Sequence, residues 1–460
     1  MISNDVLILG AGFSRAISDS MPLTDELGQA AIEFADLAGN PGLPGRPFSP
    51  AFSFESWLSL LAEDQPHLSE AENLANAALF AQLQAAIHSV LTERESKALG
   101  QPAPQWLFEL ITLLHHRHAT VLTLNYDTLV EAGVASLGIL GPPGNGAITT
   151  NDILQNMPPL PTTFGFRFGG DLSSTFRLLK LHGSLDWFAA SRDPSGASLG
   201  RLEMLSTFGK PVLVSEEYRR QQLPGREPFI IPPAAGKSSY YQYPYTRELW
   251  RTAFEALIGA EHVSLVGYSF TPADLVMGGM IARAFGGTGV TVDVVNLEPG
   301  ELASRIRGLG VWTINKFGGD GCVEDFTHGY RDRVATDFVR ALAALQPEGL
   351  DTPLLVNKLR PGLAQTQSRV SEIMPAAQGV VTLVVDGPDR RPSEATAVES
   401  DPNGSTITDT SPRLGELIAA VQGADILVVQ RDGSVETVID SVFEARETGI
   451  APKWISFQTV

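Results

Sequence analysis

The chain has 460 residues, of which 43% are hydrophobic and 18% are charged. This length predicts about three domain-sized units with a large buried core, and this composition excludes a mainly disordered protein. The 33 lysines and arginines against 52 acidic residues give a formal net charge of -19. Such an acidic chain has no general attraction for phosphate backbones, so nucleic acid is not an expected direct partner.

The single cysteine, Cys322, cannot form an internal disulfide or supply a thiolate pair for zinc. A chain with a single cysteine is typical of a protein in a reducing compartment. The first residues, MISNDVLILGAGFS, lack the charged region and cleavage site of a signal peptide, and no apolar run approaches the ~20 residues of a membrane span. The sequence therefore predicts a cytoplasmic protein without a membrane partner or a bound metal.

The first 118 residues predict one strand followed by helices. The apolar run from Asp5 to Leu9 is typical of a strand buried on both faces, and it leads directly into GAGFS. A helix is expected after this turn, with Thr24 as its N-cap and Leu27, Ala30, Ala31 and Phe34 on its apolar face. Further helical patterns cover Phe54 to Ala62, Glu70 to Leu99 and Pro104 to His118.

The middle of the chain returns to alternating strands and helices. Strands are predicted at Ala119 to Asn125, Arg177 to Gly183, HVSLVGYS, VTVDVVN and Gly310 to Asn315, and helices from Asp127, over Tyr245 to Ala260 and over Pro272 to Phe285. A Gly/Pro-rich stretch, Gly138 to Gly170, interrupts the alternation and is expected to cap a site. The pattern predicts an α/β fold over residues 1–346, a doubly wound Rossmann-like parallel sheet with a helical insertion at about 50–118.

The remaining residues predict a linker over 347–379 and a small C-terminal α/β domain over 380–460. Its predicted elements are strand Val380 to Val385, a helix capped by Ser411, strand ADILVV, a helix from Val435 to Thr448 and strand KWISF. So small a unit requires burial against another surface. Two roles stay open: it mediates homo-oligomerisation or receives an activating protein or ligand, or it completes the fold of the first domain.

The glycine turn is the first candidate site. Gly10 and Gly12 follow a buried strand, where backbone amides can approach a pyrophosphate near a helix N-terminus. The dinucleotide fingerprint G-x-G-x-x-G fails because Arg15 stands at the third glycine position, and Ser14 offers a hydroxyl instead. A tight turn without a ligand remains an alternative.

Two other patterns are weaker. AAGKSS, residues 234–239, resembles a phosphate-binding loop, but the glycine that such a loop requires is replaced by Ile231. His115, His116 and His118 stand at a predicted helix C-terminus, where cationic side chains are favoured by the helix dipole. Neither pattern predicts a site.

Polar residues at four further strand ends form a stronger signal. They are Asn125 and Asp127 in TLNYD, His182 in KLHGS, Gly267 and Ser269 in VGYSF, and Asn296 and Glu298 in VNLEP. Each could be a satisfied buried polar residue on its own. Ligands of open α/β sheets bind beyond the carboxyl ends of the strands, so together these residues predict one site.

GAGFS, TLNYD, KLHGS, VGYSF and VNLEP, in this order from Val6 to about Phe317, resemble the sirtuin-like (silent information regulator) family. The resemblance implies that NAD is the substrate. It assigns Gly10, Ala11, Gly12 and Ser14 to phosphate and ribose contacts, Asn125 and Asp127 to the nicotinamide ribose and carboxamide, His182 to base catalysis, Gly267 and Ser269 to the phosphate and ribose region, and Asn296 and Glu298 to the adenosine ribose.

The chain departs from deacylating sirtuins at two points. One cysteine cannot build their four-cysteine zinc module, and SDSMPLTDEL replaces their G-I-P-D-F-R-like run. The helical insertion and the HGSLDW segment are instead similar to the bacterial branch that hydrolyses NAD in anti-phage defence. This resemblance implies an NAD glycohydrolase that releases nicotinamide and ADP-ribose. A non-catalytic sensor of NAD or ADP-ribose and an NAD-dependent transferase, either deacylase or ADP-ribosyltransferase, are the alternatives.

Overall fold

The computed structural model describes residues 5–37, 53–117, 119–137, 153, 176–190, 193, 198–202, 206–212, 214–233, 243–271, 274–286, 288–331 and 333. Beyond these it describes the backbone of seven strands between residues 355 and 459.

The strands before residue 333 are β1 (Asp5–Leu9), β2 (Thr120–Thr123), β3 (Arg177–Lys180), β4 (Gly183–Ala190), β5 (Gly200–Arg201), β6 (Arg226–Ile230), β7 (His262–Val266), β8 (Thr291–Val295) and β9 (Thr313–Phe317). The helices are α1 (Ala11–Ile17), α2 (Thr24–Phe34), α3 (Phe54–Ala62), α4 (Glu70–Leu99), α5 (Gln105–Arg117), α6 (Leu129–Ser136), α7 (Glu216–Gln222), α8 (Pro244–Ile258), α9 (Leu275–Phe285), α10 (Pro299–Gly308) and α11 (residues 322–331).

Six of these strands form one parallel sheet in the order β3-β2-β1-β7-β8-β9. Numbered along the chain, this is the 3-2-1-4-5-6 order of a doubly wound Rossmann fold, so the predicted fold class is confirmed. Alternate residues of β1 face two different cores. Leu7 and Leu9 pack with the helices of the insertion, and Val6 and Ile8 pack with α8, α9 and α10.

The helical insertion matches the sequence prediction closely, because α3 and α4 have the predicted ends. Ser69 caps α4 through a reciprocal bond with Glu72, and the second half of the helix enters the core. By length and composition α4 could also cross a membrane, with 28% of its most apolar window buried. Core helices of soluble proteins can have the same length and composition.

Three local predictions need correction. Leu23, not Thr24, is the N-cap of α2, because the Leu23 amide donates to the Glu26 carboxylate and Thr24 is already helical. The same helix buries Ile32 and leaves Phe34 56% exposed, so its core-facing side is rotated from the predicted one. Asp127 does not begin α6, because Thr128 is the N-cap of this helix and Leu129 is its first helical residue.

A small antiparallel sheet, β5-β4-β6, follows the parallel one. The sharp turn between β3 and β4 is made at Gly183, which has a φ of +83°. A Cβ atom there would lie 2.4 Å from the Phe229 carbonyl oxygen, so glycine is required. This turn places His182 between the two sheets. The predicted cap, Gly138 to Gly170, lies outside the described residues apart from Ile153.

The C-terminal strands are β10 (Leu355–Lys358), β11 (Thr366–Pro375), β12 (Val380–Asp386), β13 (Ile407–Thr408), β14 (Asp425–Gln430), β15 (Val435–Val438) and β16 (Gln458–Thr459). They form a seven-stranded sheet in which β12 and β14 are parallel, and both of those strands were predicted.

Two predictions for this region are wrong. The expected helix from Val435 begins instead as strand β15, antiparallel to β14, because the β-branched residues at its start favour a sheet. The expected linker contains β10 and β11. The helix capped by Ser411 and the strand KWISF lie outside the described residues, and the division into domains stays a prediction.

Candidate functional site

A cavity of about 630 Å³ lies over the carboxyl ends of the parallel strands. This is a volume typical of small-molecule sites. Ten of the eleven predicted site residues line it: Gly10, Ala11, Gly12, Ser14, Asn125, Asp127, His182, Gly267, Ser269 and Asn296. The structure therefore brings together turns that are up to 286 positions apart, from Gly10 to Asn296. The role of each residue stays a prediction.

Glu298 is the exception. It is exposed and does not line the cavity. Pro299 begins α10 directly after it, so the turn that follows β8 places Asn296 and Leu297 on the cavity and leaves Glu298 outside its lining. The predicted contact of Glu298 with an adenosine ribose is not supported.

The glycine turn after β1 packs main chain against main chain. The Gly12 amide donates to the Gly267 carbonyl at 2.9 Å, and the Gly10 amide donates to the Val266 carbonyl at 3.0 Å. A Cβ atom on Gly12 would lie 2.8 Å from Gly267 Cα. Because both amides are bonded within the fold, close packing explains why glycine stands at positions 10 and 12, as the tight-turn alternative expects.

A chain of hydrogen bonds joins this turn to the next one. Asn125 Nδ2 donates to Ser14 Oγ at 2.8 Å, and Ser14 Oγ donates to Asp127 Oδ2 at 2.6 Å. Asn125 Nδ2 also donates to the Gly10 carbonyl at 2.8 Å. All four residues are therefore held in one arrangement before any ligand binds.

The bonding of Asn125 limits what it can offer to a ligand. A carboxamide has two N–H donors, and both are used by Gly10 and Ser14. Only Oδ1 is left to contact a ligand, and an oxygen accepts hydrogen bonds. Asn125 can therefore accept from water or from a hydroxyl group, which suits a residue that positions a nucleophile.

Asp127 has a structural contact as well as a place in the cavity. Its Oδ1 accepts from the Leu129 amide at 3.3 Å, at the beginning of α6. A carboxylate offers about four lone-pair sites, so the bonds from Leu129 and Ser14 leave it able to accept from a ligand.

His182 is 4% exposed and lies two residues beyond the end of β3. Its ring packs near two aromatic side chains, with centroids 6.5 Å from Tyr126 and 6.2 Å from Trp250. Its carbonyl accepts from the Ile231 amide at 2.8 Å, which ties it to the end of β6. The imidazole is thus a fixed group on the cavity wall.

Glu95 of α4 supports the turn after β2 from behind. Its Oε1 accepts from Thr128 Oγ1 at 2.9 Å and also from the Thr128 amide. Burial raises the pKa of Glu95 to about 8, although the bonds from Thr128 oppose this rise. The carboxyl group is therefore mostly protonated at neutral pH.

Sequence reasoning missed several cavity residues on the helical side. Glu55 of α3 is 4% exposed and accepts from Thr271 Oγ1 at 2.7 Å. Trp106 of α5 lies against Phe13, with ring centroids 5.7 Å apart. A carboxylate within the otherwise uncharged FESWLSLLA was the one available signal for Glu55.

The charges along the cavity are strongly unequal among the described lining residues. Six carboxylates line it, from Asp19, Glu55, Asp127, Asp274, Asp320 and Glu324. Arg15 is the only lysine or arginine in that described lining. It pairs with Glu26, but its Nε is buried and has no hydrogen-bond partner among the described residues.

Two other sequence patterns cannot be placed relative to this cavity from the part of the chain that the structure describes. AAGKSS and His118 lie outside the described residues, as do the side chains of His115 and His116. Within the described part of the chain, no group of three or more His, Cys, Asp or Glu residues could hold a metal ion. The expected absence of a metal stays a prediction.

Comparisons with known proteins give little further information. No family model matches the chain, and no curated protein matches it. Among solved structures, a chain from work on the structural basis for the mechanism and regulation of Sir2 enzymes is similar. The alignment has 14% identity and a TM-score of 0.29, and it covers 67% of this chain and 98% of the other.

Proposed function

We propose that the protein is an NAD glycohydrolase, which cleaves NAD to nicotinamide and ADP-ribose. The observation that supports this most is the meeting of Asn125, Asp127 and His182 in one cavity beside the glycine turn. These are the residues to which the sirtuin resemblance assigns the nicotinamide end of NAD and the base.

The sheet order favours an elongated ligand. The turns after β2 and β8 are separated by three strand spacings, because β1 and β7 lie between them. At ~4.8 Å for each spacing, Asn125 and Asn296 belong to strands about 14 Å apart. A dinucleotide can span this distance, with its nicotinamide beside Asn125 and its adenosine toward Asn296.

Arg15 lies between these two ends, since it follows β1. It is the one lysine or arginine among the described lining residues, and a guanidinium can donate charged hydrogen bonds to pyrophosphate oxygens. Arg15 is therefore the cationic residue that we expect to contact the pyrophosphate.

The chemistry requires little acid catalysis. Nicotinamide leaves as a neutral molecule from a pyridinium, so the site must stabilise a sugar cation and position water. Asn125 Oδ1 accepts a hydrogen bond from that water, and His182 accepts a proton as the new bond forms. The cavity carboxylates favour positive charge on the sugar.

The cellular role that we propose is depletion of NAD as an anti-phage effector in the cytoplasm. It rests on the resemblance to the defence branch. An enzyme of this kind would consume the NAD of its own cell, so we propose that a homo-oligomeric state or an activating ligand or protein controls it. The C-terminal region is the proposed agent of this control.

The decisive experiment incubates the full chain with NAD and measures nicotinamide and ADP-ribose. We expect both products in equal amounts, and at least a ~100-fold loss of rate in Asn125→Ala and in His182→Ala. His67→Ala, on the exposed end of the α3–α4 loop, is the matched control and should retain full activity.

Each alternative gives a different result. Tight NAD binding without product would identify a sensor, and products formed only with an acceptor peptide would identify a transferase. Near-normal cleavage by His182→Ala would contradict the proposed base.

A further inference from the structure

A buried ammonium group joins the two strands that lead to Asn125 and His182. Lys180 is the last residue of β3 and is 1% exposed. It stands opposite Thr123, the last residue of β2, in the parallel register. Asn125 and His182 each follow two residues later, so the two predicted catalytic residues leave the sheet at the same level.

The Lys180 ammonium reaches across to the turn that carries Asn125. Its Nζ donates to the Asp127 carbonyl at 2.6 Å and to Glu131 Oε1 at 2.9 Å, with the Tyr126 carbonyl at 3.4 Å. An ammonium has three donors, and these three acceptors all belong to the turn after β2 or to α6. Lys180 does not line the cavity.

The surroundings keep this group charged. Burial acts to lower the pKa of Lys180, but the carboxylates of Glu131, Asp186 and Asp127 outweigh it, so the pKa lies above its ordinary value. A permanently charged donor makes stronger hydrogen bonds to carbonyl oxygens than a neutral donor does.

We propose that Lys180 is a positioning residue, whose ammonium fixes the main chain at 126–127 against β3 so that Asn125 and His182 face the same ligand. The proposal rests on the proposed function. It differs from a purely stabilising ion pair, because it requires that loss of the ammonium loosen the Asn125 turn and slow turnover while NAD binding persists.

The test uses full-length Lys180→Met, which keeps an unbranched side chain of comparable length and removes the charge and all three donors. We expect kcat for NAD cleavage to fall at least ~30-fold and KM to change less than ~3-fold. Hydrogen exchange should become faster in the peptide that covers residues 125–129 and stay unchanged in β7 and β8. Lys180→Arg, which keeps the charge, should recover part of kcat.

Folded Lys180→Met with wild-type kcat and wild-type exchange over 125–129 would overturn the proposal, as would equal loosening of β7 and β8. If Lys180→Met does not fold, Glu131→Gln replaces it, with a smaller loss of kcat and faster exchange in the same peptide expected. Unchanged kcat and unchanged exchange over 125–129 in Glu131→Gln would also overturn the proposal. A wild-type protein that does not cleave NAD would refute the proposed function, and the exchange result would then decide on the positioning role alone.

Discussion

The turn after β1 and the turn after β2 both bring residues to the cavity, but different forces hold them. The first is fixed by contact between glycine backbones, with Gly12 bonded to Gly267. The second is fixed by buried ionisable side chains, with Glu95 bonded to Thr128 and Lys180 to the Asp127 carbonyl. Steric contact is independent of pH and tolerates no added atoms. Buried ionisable groups respond instead to pH and to the loss of their charge.

The largest effect is expected from a side chain added at Gly267, which packs against the first turn. In Gly267→Ala the new Cβ would lie 2.1 Å from the Phe13 amide nitrogen, at a position with a φ of +61°. Strain and overpacking together should lower the free energy of unfolding by about 4 kcal/mol. Urea unfolding followed by circular dichroism measures this loss.

Gly279→Ala is the matched control, since it lies in α9 with nothing within 4 Å of its new Cβ. It should be neutral or more stable than the wild type by about 0.5–1 kcal/mol, because alanine favours a helix. Equal stability of the two variants would show that the glycine contact does not hold the first turn.

The second turn should be sensitive to pH through Glu95. The pKa of Glu95 is about 8 in the folded protein, whereas its ordinary value is 4.5. Between pH 4.5 and pH 8 the folded state therefore keeps a proton that the unfolded state loses. The contribution of Glu95 to stability is therefore complete below pH 4.5 and falls as the pH rises toward 8. Glu95→Gln should abolish this fall and exceed the wild type by on the order of 3 kcal/mol at pH 8.

Unfolding curves at pH 5 and pH 8 provide the measurement. The two proteins should be close in stability at pH 5, because glutamine can accept the bonds from Thr128 in the same way. A constant difference between them at both pH values would contradict the raised pKa of Glu95.

The smallest effect is expected at Ser14, which connects the two turns. Ser14→Ala removes the donor to Asp127 and the acceptor of Asn125, at a cost of about 1–2 kcal/mol in the free energy of unfolding. Ser89→Ala is the control, because its hydroxyl only bonds back to the Ala85 carbonyl within α4. Equal urea midpoints for Ser14→Ala and Ser89→Ala would show that the hydrogen bonds of Ser14 contribute nothing to the free energy of unfolding.

The parallel sheet could be predicted because its strands are short apolar runs that end in polar residues. Asp5–Leu9 is such a run, and its burial on both faces needs no tertiary information. The strand at Val435–Val438 was not predicted, because the helical spacing of apolar residues over Val435 to Thr448 was given more weight than the β-branched residues at its start. Its partner strand is also close along the chain, since Val429 stands opposite Val435.

The strand ends predicted the position of the cavity and ten of its lining residues, because parallel strands bring their carboxyl ends to one edge. The contacts between those residues could not be predicted. The Ser14–Asp127 bond spans 113 positions and the Glu55–Thr271 bond spans 216, so no spacing rule connects either pair. Lys180 was part of a motif, but its reach toward the Asp127 carbonyl depends on the register of β2 and β3.

The position of Trp106 gives the cavity an optical reporter of its own. Trp106 is 7% exposed, borders the cavity and lies near Phe13. Trp312 is 80% exposed and directly precedes β9, an edge strand of the parallel sheet. A ligand that replaces water beside an indole shifts its emission. Replacing Trp312 by phenylalanine would remove a solvent-exposed background signal, so that occupancy of the cavity could be titrated by fluorescence without a label.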